Sequence, residues 1–181
     1  FEPYRIPNIK PRREGEYLPD RLADEAIDFI RANRKKPFFV ALWNYTVHWP
    51  MQAPQHLVEK YESRVGPGVK DARYAAMIEA MDTEFRRLLV STGLARADGA
   101  GGLIYDPALT NTVIVIIGDN GSFGNTVQLP FDPNRAKATA YQTGVWVPLT
   151  VSGPLVANPG RDVAHMINAT DVFGLFGEIA G

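Results

Sequence analysis

Apolar residues in this chain fall into separate stretches, and their spacing differs from one stretch to the next. In "LPDRLADEAIDFIRANRKK", from Leu18, they recur at Leu22, Ala26, Ile27, Phe29 and Ile30, one stripe of a helix. Asp20 can cap that helix and basic residues close its last turn. Pro37 ends it, and "FFVALWNY" (38–45) follows as a near-continuous apolar run, the pattern of a strand buried on both faces. "TVHWPMQAPQHLVEKY" reads as a proline-punctuated loop entering a short helix. Helical spacing returns from Asp71 to Leu89, at Tyr74, Ile78, Met81, Phe85, Leu88 and Leu89. "TVIVII" (112–117) is a second two-sided apolar run, halted by Gly118-Asp119-Asn120-Gly121. A long irregular stretch leads to a third strand-like run, "VWVPLTVSG", and "ATDVFGLFGEIAG" closes the chain as a helix.

The alternation of helix and strand predicts an α/β layered fold with a largely parallel central sheet. Residues 1–19, rich in proline (Pro3, Pro7, Pro11, Pro19) and basic side chains, read as an extended arm before the folded part at 20–181. The first helix has no strand before it to pair with, so its neighbours are expected elsewhere.

Composition narrows the function. With 19 Lys and Arg against 20 Asp and Glu, the net charge is −1, which leaves no electrostatic footprint for nucleic acid. The chain contains no cysteine, hence no disulfide and no thiolate nucleophile or ligand. No run approaches the ~20 apolar residues of a membrane span. "FEPYR" at the start carries no signal-peptide pattern. At 181 residues the chain is long enough to bury about 70% of its unfolded surface.

Candidate chemistry concentrates where strands end. Asp119 and Asn120 can be a simple turn, since both tolerate left-handed backbone. They can equally be a ligand site, because open α/β sheets place chemistry at the carboxyl ends of their strands. His48 in "VHWP" leaves the end of the first apolar run, and Lys137 sits in the irregular stretch before the third. A lone histidine or loop lysine is ordinarily structural or solvated. Together with an Asp–Asn pair, however, they suit a hard divalent cation beside a tetrahedral oxyanion. Carboxylate and amide oxygens favour calcium or magnesium over zinc, and His and Lys donate hydrogen bonds to anionic oxygens. His56 and His165 read as structural residues in helical surroundings. The lone "GAGG" cluster lacks the preceding strand a phosphate-binding loop needs.

In order along the chain, "KPFFVALWNYTVHWPMQAP", "YAAMIEAMDTEFRRLL", "NTVIVIIGDNG", "KATAYQTGVWVPLTVSGP" and "DVFGLFGEIAG" resemble segments of the sulfatases, of the alkaline-phosphatase-like superfamily. The likeness runs from about Leu18 to Gly181 and includes Asp82 at the family's usual helix position. It implies an alkaline-phosphatase-like three-layer sandwich, here an incomplete domain: the C-terminal half of a catalytic domain. It implies a sulfuric ester hydrolase of arylsulfatase type, with Asp119 and Asn120 as ligands of one Ca2+ and His48 and Lys137 as catalytic contacts of the sulfate. Asn rather than His after the Asp favours one metal over two. Trp146 departs from the family, standing where Arg is common.

The resemblance also implies a formylglycine nucleophile, made from Cys or Ser in a Cys/Ser-x-Pro-x-Arg motif, and an N-terminal pair of metal-binding aspartates. The chain has no cysteine, and "SGPLV" from Ser152 ends in Val156 instead of arginine. The nucleophile is therefore expected outside this chain, in an N-terminal half that would be its partner, with a sulfate ester as substrate. A phosphodiesterase or phosphonate monoester hydrolase of the same superfamily, or a non-catalytic fragment, are the alternatives. The residues name no compartment, and the resemblance is compatible with a periplasmic or secreted protein.

Overall fold

The computed structural model describes residues 9–66 and 71–181. Within the arm expected at 1–19, residues 1–8 lie outside the described part. Two compact units divide the chain, one reaching to Asp106 and the other spanning Pro107–Gly181.

The first unit is a helical layer. Helices α1 (Leu18–Asn33) and α2 (Gln55–Glu62) both pack on α3 (Ala72–Thr92). The expected stripe on α1 is rotated: Leu18, Pro19, Ala23, Ala26, Ile27 and Ile30 are buried, whereas Phe29 turns outward to meet Phe38 edge-on at 6.5 Å. On α3 the buried set is Ala76, Met77, Ala80, Leu88 and Leu89, while Ile78 lies exposed. Small residues win these positions because they let helices approach closely, which larger side chains at the same places would prevent. Asp71 caps α3, its Oδ1 accepting from the Tyr74 N–H, and Gly93 ends it in a left-handed conformation at φ +78°. The N-cap of α1 is Tyr17, so Asp20 sits inside the first turn, where it favours the helix dipole without capping.

The run at 38–45 is a correction. It pairs with no strand, and Phe39, Leu42 and Trp43 are exposed. Apolar character alone does not make a strand; the ladder needs a neighbour, and no strand pairs with this run among the described residues. After α3 a short hairpin forms, β1 (Arg96–Ala97) against β2 (Leu103–Ile104). Its glycine loop is filled from within: Asp98 Oδ1 accepts from the Ala100 and Gly102 N–H groups, both at 2.8 Å, and Arg86 donates to the Gly101 and Gly102 carbonyls. The Ala100 and Gly102 amides are thereby already used.

In the second unit a four-residue turn of helix, α4 (Pro107–Thr110), precedes β3 (Ile114–Ile117). The strand β4 (Leu149–Ser152) pairs with β3 antiparallel, Ile114 opposite Ser152 and Ile117 opposite Leu149. This corrects the largely parallel sheet expected from the alternation. The connection between the strands is long enough for a crossover, but it carries the short helical turns at 124–126, 133–135 and 142–145 and brings β4 back alongside β3 in the opposite direction. With one neighbour only, β3 is not buried on both faces: Ile116 and Ile117 are exposed. Among the described residues the sheets are these two pairs. The short helix α5 (Gln142–Val145) precedes β4, and α6 (Asp171–Ala180) ends the chain without a buried side chain.

Candidate functional site

The turn after β3 is set by two glycines. The Gly118 N–H donates to the Pro148 carbonyl at 3.0 Å, extending the β3–β4 ladder past the strand. Three residues on, the Gly121 N–H donates to the Gly144 carbonyl and the Ser122 N–H to the Thr143 carbonyl, at 3.0 and 2.9 Å. A side chain on Gly121 would strike the Thr143 and Gly144 carbonyl oxygens, so only glycine allows this approach. Gly144 is fixed in the same way by the Thr139 and Ala136 carbonyls. Between the pinned glycines, Asp119 and Asn120 are pushed to the rim of the strand pair.

Asp119 is exposed and its carboxylate makes no hydrogen bond or ion pair among the described residues. Asn120 is half-buried, and its Nδ2 donates to the Gly121 carbonyl at 2.9 Å, which turns the amide so that Oδ1 is the atom left for a ligand. A carboxylate and an adjacent amide oxygen match the oxygen preference of calcium or magnesium. They fit such an ion as part of a ligand set, since 6–8 oxygens surround calcium. Among the described residues, no three His, Cys, Asp or Glu side chains converge on one point.

Lys137 belongs to the same backbone knot. Its N–H donates to the Ser122 carbonyl at 2.8 Å, tying it to the residue that follows the turn. Ala138 next to it adopts φ +72°, a left-handed conformation that costs a non-glycine residue roughly 1 kcal/mol or more. Around it, Thr139 Oγ1 donates to the Ala136 carbonyl and Thr143 Oγ1 to the Arg135 carbonyl, and the Arg135 guanidinium lies 4.4 Å from the Tyr141 ring centre. The structure thus brings Asp119, Asn120 and the Lys137 backbone into one assembly.

His48 lies in the first unit. It is exposed, on a turn closed by its own N–H donating to the Tyr45 carbonyl at 2.8 Å. Its Nδ1 is 2.6 Å from the Trp49 carbonyl. A carbonyl only accepts, so the Nδ1 proton is held there and Nε2 is the free ring atom. Of the other histidines, His56 is on α2, whereas His165 lies in an irregular exposed segment and not in a helix.

Sequence patterns passed over a cleft beside the turn. Ser122, Thr126, Val127, Gln128, Leu129, Phe131, Thr143 and Trp146 line an open cleft of about 400 Å³. Apolar residues such as Leu129 and Phe131 in a proline-marked loop without periodicity were the available signal.

The family model described as Sulfatase matches residues 2–181. This chain belongs to the sulfatase family. Among curated sulfatases, Steryl-sulfatase of Mus musculus is 30% identical over 167 residues, 91% of this chain and 24% of its own length. Arylsulfatase J of Mus musculus is 27% identical over 136 residues, 75% of this chain and 21% of its own. This sulfatase chain therefore spans about a quarter of the length of the relatives it matches. Solved structures agree in fold: the crystal structures of Ps i-CgsB, alone and in complex with k-i-k-neocarrahexaose, superpose with TM-scores of 0.72 and 0.74. Each covers 96% of this chain and 36% of the other, at 23% and 24% identity.

Proposed function

We propose that this chain supplies part of the metal and sulfate site of an arylsulfatase-like sulfuric ester hydrolase. Asp119 and Asn120 are oxygen ligands of one calcium-sized cation, and His48 and Lys137 contact the sulfate group. The observation that supports this reading most is the 2.8 Å bond from the Lys137 N–H to the Ser122 carbonyl. It joins the cationic residue to the acidic turn, in a chain matched by the sulfatase family along its length. The formylglycine nucleophile, the remaining metal ligands and the layers that complete a sandwich belong, in this reading, to protein beyond these residues.

When bound, the cation supplies positive charge that polarises sulfate oxygens. Lys137 adds a compact point charge with three donors, which steadies the sulfate throughout the reaction. His48 has a different task. With its Nδ1 proton on the Trp49 carbonyl, only the imidazolium carries a second proton on Nε2. That proton can pass to the leaving oxygen as the S–O bond breaks.

Three variants of the intact protein test this. Asp119→Ala is expected to lose bound calcium, read by elemental analysis, together with activity. Lys137→Ala should lower kcat/KM for every sulfate ester alike, by roughly 10²–10³. His48→Gln should slow alkyl sulfates by about 10²–10⁴ and nitrophenyl sulfate much less, since a good leaving group needs no proton. Equal losses on both ester types would remove the acid role. Preferential cleavage of phosphodiesters would move the protein to the phosphoesterase branch.

A further inference from the structure

Lys137 is exposed and carries its charge on a flexible four-carbon stem, so what the fold can fix is the backbone from which that stem springs. The two peptide groups before it are both held. The Arg135 carbonyl accepts from Thr143 Oγ1 at 2.6 Å. The Ala136 carbonyl accepts from Thr139 Oγ1 at 2.7 Å and from the Thr139 N–H at 3.1 Å, and the Lys137 N–H donates to the Ser122 carbonyl at 2.8 Å. Thr139 belongs to the same loop as Lys137, so its bonds shape the loop without saying where the loop sits. Thr143 comes from the other side of the assembly. Its carbonyl accepts the Ser122 N–H at 2.9 Å, and the neighbouring Gly144 carbonyl accepts the Gly121 N–H at 3.0 Å. One residue thus grips the chain just after the Asp119–Asn120 turn with its backbone and the chain just before Lys137 with its hydroxyl.

We propose that Thr143 is a positioning residue, its hydroxyl setting the spacing between the Lys137 backbone and the Asp119–Asn120 turn, which rests on the reading that Lys137 contacts the sulfate and the turn holds the cation. Threonine is branched at Cβ and stiff about χ1, so the direction of Oγ1 follows from the backbone that carries it. That backbone has little freedom. Ser122 holds its carbonyl, and a side chain on Gly144 beside it would strike the Thr139 and Ala136 carbonyls.

The bond to Arg135 lies at exposed surface, where water replaces a lost donor at small expense in stability. A fixed length is what the hydroxyl supplies and water does not. Ala138, at φ +72°, has a conformation that a non-glycine residue keeps only where its surroundings over-determine it, and the Thr143 bond is one of those constraints. Catalytic contacts are sensitive on this scale, since a misplacement of about 1 Å can cost 10²-fold in rate.

The intact protein tests this through two substitutions at one site. Thr143→Val keeps the branched shape and removes the donor, whereas Thr143→Ser keeps the donor. Thr143→Val is expected to lower kcat/KM about tenfold for nitrophenyl and alkyl sulfates alike, and Thr143→Ser to return to within about threefold of wild type. Calcium affinity should stay within about twofold in both, because the bond from the Ser122 N–H goes to backbone and survives. Placed on Lys137→Ala, Thr143→Val should have no further effect, since the hydroxyl acts through the lysine. Deuterium exchange of the peptide covering 135–139, which needs no turnover, should speed up in Thr143→Val and not in Thr143→Ser.

Wild-type kcat/KM in Thr143→Val would overturn the proposal. So would no recovery in Thr143→Ser, exchange that Thr143→Val leaves unmoved, or a loss of the same size with and without Lys137, which would make Thr143 a general structural residue. If Lys137→Ala keeps full activity while exchange still speeds up in Thr143→Val, the reading of Lys137 as a sulfate contact falls, and the hold of Thr143 on the loop stands.

Discussion

Gly121 and Gly144 are each locked by backbone, Gly121 by the Thr143 and Gly144 carbonyls and Gly144 by the Ala136 and Thr139 carbonyls. Adding one methyl group at Gly121 forces it into the Thr143 and Gly144 carbonyl oxygens, which are backbone and cannot rotate away. Gly121→Ala is therefore expected to destabilise the chain by about 1–3 kcal/mol, the range for overpacking. It should also weaken calcium binding, because the turn holding Asp119 would have to move. Chemical denaturation and calcium titration of the same variant check the two effects together. An unchanged midpoint would mean that the loops separate freely. At this scale the Asp–Asn pair and Lys137 stood out in the sequence as candidates, and the structure brings the turn and the Lys137 backbone into one assembly. The locking role of Gly144 was not legible, since its constraint comes from carbonyls of Ala136 and Thr139 that no local pattern brings near.

Helices were read well in place and poorly in rotation. Residues 18–33 and 72–92 are helical as their spacing predicts, but the buried stripes run through alanines that hydrophobicity ranks low. Strands fared worse, since 38–45 has the composition of one and no partner. Between α1 and α3 a network replaces apolar packing at one edge: Arg87 donates to Asp24 Oδ1 at 2.7 Å and to the Asp20 carbonyl at 3.0 Å, and pairs with Glu84. Asp20, close by, has its pKa raised from the ordinary Asp value, first by burial and then by the Glu84 charge, with Arg87 opposing. The folded chain thus binds this proton more tightly than the unfolded chain. That contribution is favourable in acid, below the unfolded carboxylate's range, and is lost as pH rises through the raised value. Asp20→Asn should accordingly raise the denaturation midpoint at neutral pH, with the gain shrinking as pH falls. A gain that persisted undiminished in acid would show that charge is not its source.

At the scale of the molecule, apolar surface is left uncovered in both units. Trp43, Trp49 and Phe39 are exposed in the first, and Phe173, Met166 and Leu155 in the second. In the proposed reading, further protein covers surface of this kind. The nucleophile, in the same reading, lies outside these residues, so the 181 residues alone are expected to release no sulfate from nitrophenyl sulfate. They should also associate in solution, measured by sedimentation. Turnover above the background of a Lys137→Ala control, or a monodisperse and sharply melting monomer, would contradict this. One closure within the second unit has a different bearing, on how such a protein diversifies. The chain leaves Ser122 and returns to it, since the Lys137 N–H bonds the Ser122 carbonyl; residues 123–136 are anchored there and, at their far end, through Arg135 to Thr143 and Tyr141 and through Ala136 to Thr139. Doubling the length of a flexible loop costs only about 0.6 kcal/mol, so this segment is a cassette that can be lengthened, shortened or exchanged at little thermodynamic penalty. Leu129 and Phe131 travel with the cassette, whereas Asp119, Asn120 and Lys137 stay behind on the frame. Change within this segment can therefore proceed without disturbing the strand pair from which the Asp119–Asn120 turn projects.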